Sequence, residues 1–250
     1  MSSRIAIQET FDLPSRGKFP NVPAQITLRA MSLKDEKQRL AAQGSHAIVD
    51  LISNCVVKPD NFDAYDMCRF DLDFALLKLR IISHGNNYKV KVVCPNCGKT
   101  MESTINLDDI VTNYVEDDFS PEFEIGALPI SGDTLGVKIL TFRDSNDIET
   151  EARRVLNKFP QYKGDPSDIL DYVYRITTVN GEKLTYPQLK AYVENMAASD
   201  SIYFDEFYSE ALGKYGLDTT IPFTCSNCGE AFERSMPMNS EFFRPKYTTA

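Results

Sequence analysis

Cys94-Pro-Asn-Cys97-Gly98 and Cys225-Ser-Asn-Cys228-Gly229 constrain this chain more than any other stretches do. In each, two cysteines flank two residues and a glycine follows the second cysteine. Each is preceded by an extended run, Tyr88–Val93 before the first and Thr220–Thr224 before the second. A strand, a CxxCG turn and a returning strand form a knuckle that aims two thiolates at one point, with glycine supplying the positive φ of the tight turn. One knuckle offers two ligands, whereas a structural zinc ion takes four in a tetrahedron. The pair therefore predicts one closed site made of Cys94, Cys97, Cys225 and Cys228, holding a single structural zinc. Redox or disulfide use of the pairs is the competing chemistry. A redox CxxC usually opens a helix, and neither pair is followed by a helical pattern. CxxC disulfides are seldom structural, and no secretory signal opens the sequence, so a reducing cytoplasm is the expected compartment.

The spacing implies an architecture. Residues 98–224, about half of the chain, lie between the knuckles. One shared zinc requires this stretch to leave the ribbon and return to it, and a stretch that long is expected to carry its own packed elements. The reading is an α+β fold in which a helical N-terminal region packs on a four-cysteine zinc ribbon of two knuckle hairpins, with a mainly helical insertion between them. Its parts are residues 1–85 (N-terminal strands and helices), 86–107 with 218–238 (split ribbon), 108–217 (insertion) and 239–250 (tail).

Local patterns fill in this outline. Residues 4–8 and 25–29 alternate as half-buried strands around a Pro- and Gly-rich loop. Ser32, with Asp35 three residues on, opens a helix over Lys34–Ala42, and a second helix fits His46–Cys55. The strongest helical periodicity spans about Ala64–Ser83, with more apolar surface than one stripe, as for a helix packed on several sides. Lys99–Leu107 returns as a strand and Asp108–Val115 reads as a short helix. Strands over Phe123–Leu128 and Gly136–Phe142 precede helices at Asp147–Asn157, Ser167–Thr177, Gln188–Ala198 and Ser201–Lys214, with a tight turn at Asn180-Gly181. Cys55 and Cys68 fall in apolar patterns and are expected in the core. His46 reads as a surface or capping residue. His84, near the ribbon, is not needed by a site that four cysteines already fill.

Charge separates the functional classes. The net charge is −9, and residues 100–137 hold nine acids and no Lys or Arg, so this window accounts for the whole excess. A ribbon that binds nucleic acid would bring a basic stripe, so nucleic acid is disfavoured as a partner. The acidic window reads either as a solvated face or as an electrostatic contact for a basic partner. No apolar run approaches the roughly 20 residues that span a bilayer. The sequence has no Gly-rich phosphate loop, HExxH or GxSxG, and its two histidines sit in no motif, so no catalytic residue can be named and the protein is read as non-enzymatic.

The opening Ile5-Ala-Ile-Gln-Glu-Thr-Phe-Asp-Leu-Pro-Ser-Arg-Gly resembles the start of the baseplate hub proteins of T-even-type contractile-tailed bacteriophages. Ile26-Thr-Leu-Arg-Ala-Met-Ser-Leu-Lys-Asp-Glu, Tyr65-Asp-Met-Cys, Leu76-Leu-Lys-Leu-Arg-Ile and the two knuckles continue the likeness, which covers about residues 4–235 and is weakest over 110–215. The resemblance implies a viral structural or assembly protein of the baseplate hub. It would contact other hub or tail proteins in the host cytoplasm during assembly, either as a hub subunit that stays in the tail baseplate of the virion or as an assembly factor. It implies no catalytic residues, and the positions it carries over are the four cysteines. A zinc-ribbon nucleic-acid-binding accessory protein of a phage is the alternative.

Overall fold

The computed structural model describes residues 7–41, 46–236 and Phe242. The first layer is an antiparallel sheet of β1 (Gln8–Asp12), β2 (Gln25–Arg29) and β3 (Val56–Lys58), in that order. Residues 4–6 of the expected first strand, Ala42 of the expected first helix and the tail other than Phe242 lie outside the described residues. Helix α1 (Leu33–Ala41) begins as its sequence suggests: the Ser32 N–H donates to Asp35 at 2.7 Å and the Asp35 N–H to the Ser32 hydroxyl at 3.3 Å. Asp35 also accepts from Arg29 at 2.7 Å, which holds its carboxyl well below the ordinary range and ties α1 to β2. Helix α2 (His46–Cys55) matches its expected bounds.

The long helix, α3, runs from Arg69 to His84 and starts later than its periodicity suggests. Residues Ala64–Asp66 form a separate 3-10 turn capped by Asp63, and Cys68 is extended, bridging Thr141. Apolar spacing carries through that break, so periodicity alone does not reveal it. Phe74, Ala75, Leu76, Leu77 and Leu79 are all buried, which is the many-sided packing that the breadth of the apolar surface implies. Gly85 ends the helix. The hairpin of β4 (Asn87–Val93) and β5 (Thr100–Asn106) follows, with Val93 opposite Thr100 across the first knuckle.

Residues 108–115 are not a helix. A 3-10 turn at Leu107–Asp109 leads into β6 (Thr112–Asn113), which pairs with a strand near the far end of the insertion. Ile110 and Val115 are buried on either side of that pairing, so tertiary burial of β-branched residues overrides a weak helical pattern. Strands β7 (Glu122–Ile125), β8 (Leu135–Lys138) and β9 (Ile176–Val179) form a second antiparallel sheet in that order. Helix α4 (Phe142–Lys158) opens five residues before its expected start, at a capping box of Thr141 and Asp144. Helix α5 (Pro166–Arg175) stops where Ile176-Thr-Thr-Val enters β9, and its expected last two residues belong to that strand. The Asn180-Gly181 turn closes with Val179 bridging Glu182. Helices α6 (Tyr186–Glu194) and α7 (Ala198–Leu212) both begin earlier than expected. β10 (Gly216–Leu217) is the partner of β6, and β11 (Thr220–Thr224) with β12 (Ala231–Ser235) carries the second knuckle.

The fold is thus a mixture of seven helices and several small antiparallel sheets among the described residues. Its largest core gathers the first sheet, α2, α3, the base of the β4–β5 hairpin and residues 105–115, together with Phe223, Met236 and Phe242. A second core joins β7–β9 to α5 and α7, and a small third one lies between α4 and α5. Phe242 is completely buried: its carbonyl accepts from the Arg80 Nε at 2.8 Å and its ring meets Tyr88 edge-on at 5.1 Å.

Candidate metal centre

Both knuckles are built the same way. In the first, the Gly98 N–H donates to the Cys94 carbonyl at 3.0 Å and the Cys94 N–H to the Lys99 carbonyl at 3.0 Å. In the second, the Gly229 N–H donates to the Cys225 carbonyl at 2.9 Å and the Cys225 N–H to the Glu230 carbonyl at 2.8 Å. Gly98 and Gly229 have φ of 69° and 76°, the left-handed conformation that makes glycine necessary at this point of the turn. In both knuckles the first cysteine is buried and the second exposed: Cys94 and Cys225 inside, Cys97 and Cys228 at the surface.

The turns face one another. The four sulfurs lie within 4.8 Å of each other, with Cys94 Sγ 3.7 Å from Cys228 Sγ and Cys97 Sγ 3.7 Å from Cys225 Sγ. A disulfide would hold two of them near 2.05 Å, so these are four separate thiols. Sulfurs 2.3 Å from a central ion at tetrahedral angles stand about 3.8 Å apart, close to the spacing here. The donor set and its dimensions therefore fit a tetrahedral metal ion. Four thiolates would leave that ion no open position for water.

Electrostatics points the same way. The Lys99 N–H and the Asn227 amide lower the Cys97 thiol to about 6, and the N–H groups of Cys228 and Asn227 lower Cys225. At Cys228 the Glu230 N–H favours the thiolate, but desolvation together with the three neighbouring cysteines outweighs it and pushes the thiol up to about 12. Ionising all four sulfurs in so small a volume needs a cation among them.

The sequence pattern of the T4 bacteriophage base plate protein family matches residues 6–244. The chain belongs to that family. No curated protein and no solved structure matches it. As a T4-type phage baseplate protein it is a part of the virion tail and works among other tail proteins. No helix among the described residues is long and apolar enough to cross a membrane.

The remaining cysteines and histidines of this baseplate protein lie away from the cluster. Cys55 and Cys68 are completely buried in the largest core, where burial pushes the Cys55 thiol up to about 12 and raises Cys68 as well. His84 closes α3, its imidazole held below the usual range chiefly by burial, and it takes no part in the sulfur cluster. His46 is more than a surface or capping residue. Its ring lies 3.3 Å from the Tyr65 hydroxyl and 3.1 Å from Glu149, joining α2 to α4. The acidic window is partly used within the molecule. Arg16 pairs with Asp117 at 3.3 Å, Tyr215 donates to Glu116 at 2.8 Å, and Asn180 donates to Asp133 at 2.7 Å.

Two residues of the site were not anticipated. The Asn96 amide donates to Cys228 Sγ at 3.9 Å and the Asn227 amide to Cys97 Sγ at 3.6 Å, each from one knuckle to the other. The available signal was their shared position, directly before the second cysteine in both loops.

Proposed function

We propose that this protein is a non-enzymatic subunit or assembly factor of the baseplate hub, held in shape by one structural zinc ion on Cys94, Cys97, Cys225 and Cys228. The observation that carries the reading is the meeting of four thiols, at separations suited to a tetrahedral ion, from segments at opposite ends of a long excursion in a baseplate-family chain. Bound there, zinc supplies a closed four-thiolate link and no reactive position. The chain's own residues do the rest. The knuckle N–H groups stabilise thiolate charge, and Phe223, in the largest core, fastens the second hairpin to it.

In this reading the two hairpins, residues 86–107 and 218–238, form a split zinc ribbon. Residues 1–85 pack against it and residues 108–217 are the insertion it closes. The exposed surfaces then serve protein–protein contacts with hub and tail neighbours, made in the host cytoplasm while the baseplate is built. An acidic chain with a base-free acidic window supports protein partners over nucleic acid.

Affinity capture from infected cells, with stringent nuclease treatment, tests the role. Baseplate hub proteins as the dominant partners are the expected result. Polymerase subunits, or partners lost on nuclease treatment, would replace this reading with that of a nucleic-acid-binding accessory protein.

A further inference from the structure

Cys97 and Cys228 are the exposed members of the sulfur cluster, and both receive a side-chain donor from the opposite hairpin. Beyond the cysteines and the glycine, asparagine is the one residue the two loops share: Pro95 stands where the second loop has Ser226. Asparagine is common in turns because it tolerates a left-handed backbone and bonds to its own main chain. Neither reason applies here. Asn96 and Asn227 are not among the residues of positive φ, whereas Asn21, Asn61 and Asn180 are. Among the described residues, the hydrogen bond of each side-chain amide goes across the cluster and not back to its own turn.

We propose that Asn96 and Asn227 are reciprocal positioning residues of the cysteine site, each reaching from its own knuckle to hold the exposed second cysteine of the other. This rests on the reading of the four cysteines as a metal site and adds to it how the two hairpins are registered. Each exposed sulfur then has an amide donor from across, while the main-chain N–H of its own turn (Lys99 for Cys97, Glu230 for Cys228) favours its thiolate. The main-chain hydrogen bonds of each turn shape a single knuckle. The amide forms its bond only when the two knuckles face one another, so it couples assembly of the site to docking of the hairpins. Hydrogen bonds to a ligand fix its orientation and spread its charge, and removing such a partner typically weakens metal binding about 10- to 100-fold. These amides stand at the long end of hydrogen-bond distance to sulfur, so an effect of about 10-fold at each is expected.

The crossed geometry gives a test that an ordinary turn role would not pass. Full-length protein is prepared as wild type, Asn96→Ala, Asn227→Ala, Asn96→Asp and Asn227→Asp, with far-UV circular dichroism to verify folding. Zinc release to a chromogenic chelator is measured, and limited alkylation by iodoacetamide is mapped to each cysteine by mass spectrometry. Changing Asn96 should raise alkylation at Cys228, and changing Asn227 should raise it at Cys97, with zinc held about 10-fold less tightly in each. The aspartates keep the size of asparagine and lose the donor, so they should reproduce the crossed pattern of the alanines. Increased alkylation within the mutated knuckle itself, aspartate variants that behave as wild type, or no change at either sulfur would overturn the proposal. The alkylation map is read whether or not wild type carries zinc. A metal-free wild type with the crossed pattern removes the metal reading and leaves the pairing, whereas a zinc-loaded wild type without it does the reverse.

Discussion

The knuckle hairpins and helix α3 lie in one molecule and are held by opposite means. Helix α3 buries Phe74, Leu76, Leu77 and Leu79 almost completely, and apolar burial suffices to explain its place. The hairpins bury less, the first keeping Tyr88 and Ile105 in the core at its base. In β12 none of Ala231–Ser235 is buried, and in β11 Phe223 alone is. An isolated two-stranded hairpin is at best marginally stable in water. If a metal ion joins their tips, the outer parts of the hairpins should depend on it, and the helix should not. One half of the structure should answer to metal and thiol chemistry, the other to packing and burial.

The largest separation between the two comes from the cysteines. Cys94→Ser or Cys225→Ser should abolish metal binding and release the hairpins from each other. Apparent zinc binding energies in small modules are on the order of 10 kcal/mol or more, and that energy is folding energy. Hydrogen exchange should show protection lost across β4, β5, β11 and β12 while the centre of α3 stays protected. Equal loss in α3 would mean that the two regions are not held separately.

Leu79→Ala should give the reverse pattern. Leu79 is completely buried, and such truncations cost about 2–5 kcal/mol. Denaturant unfolding should register that loss with metal content unchanged.

The two regions should also differ in sign when pH is lowered. Asp71 of α3 is completely buried, accepts from the Ser15 N–H at 2.9 Å, and has its carboxyl pushed up to about 6 by burial. A carboxyl raised on folding binds more protons in the native state, so its contribution to stability falls as pH rises from about 4 through 6 and recovers as pH is lowered. The shift corresponds to about 3 kcal/mol at most. Asp71→Asn should flatten that slope, as seen in unfolding midpoints across the range. At the hairpins protons compete with metal for the thiolates, so acid should loosen them. A wild-type slope that Asp71→Asn leaves unaltered would place the titrating group elsewhere.

The smallest effect on stability is expected at the acidic window. Glu116, Asp117 and Asp118 are exposed, and changing all three to amides should alter stability by about 0.5 kcal/mol per site or less. If the window steers a basic tail partner, the same change should slow association, and so should added salt, because exposed charges are screened beyond about 8 Å at physiological ionic strength. An on-rate indifferent to both leaves the window as a solvated face.

Sequence was most legible where a residue type has few uses. Paired CxxCG turns permit few arrangements, and the four sulfurs do meet. The extent of α2 and the caps at Ser32 and Gly85 were readable because side-chain and backbone chemistry act locally there. Legibility failed where distant contacts decide. Residues 112–113 become a strand because Gly216-Leu217 arrives to pair with them, and Ile176 and Thr177 leave the helical pattern to complete a sheet with β8. The late start of α3 depends on Cys68 bridging Thr141, which no local pattern contains. Asn96 and Asn227 were in plain view, but a hydrogen bond that exists only across two hairpins has no signature in either one.

Elemental analysis of the purified full-length protein tests the central claim most directly. The account predicts one equivalent of zinc per chain, absent from Cys94→Ser and Cys225→Ser and retained in Cys55→Ser, whose thiol lies buried in the apolar core. Folded protein with no bound metal and four freely titratable knuckle thiols, or with a different metal in zinc's place, would contradict it.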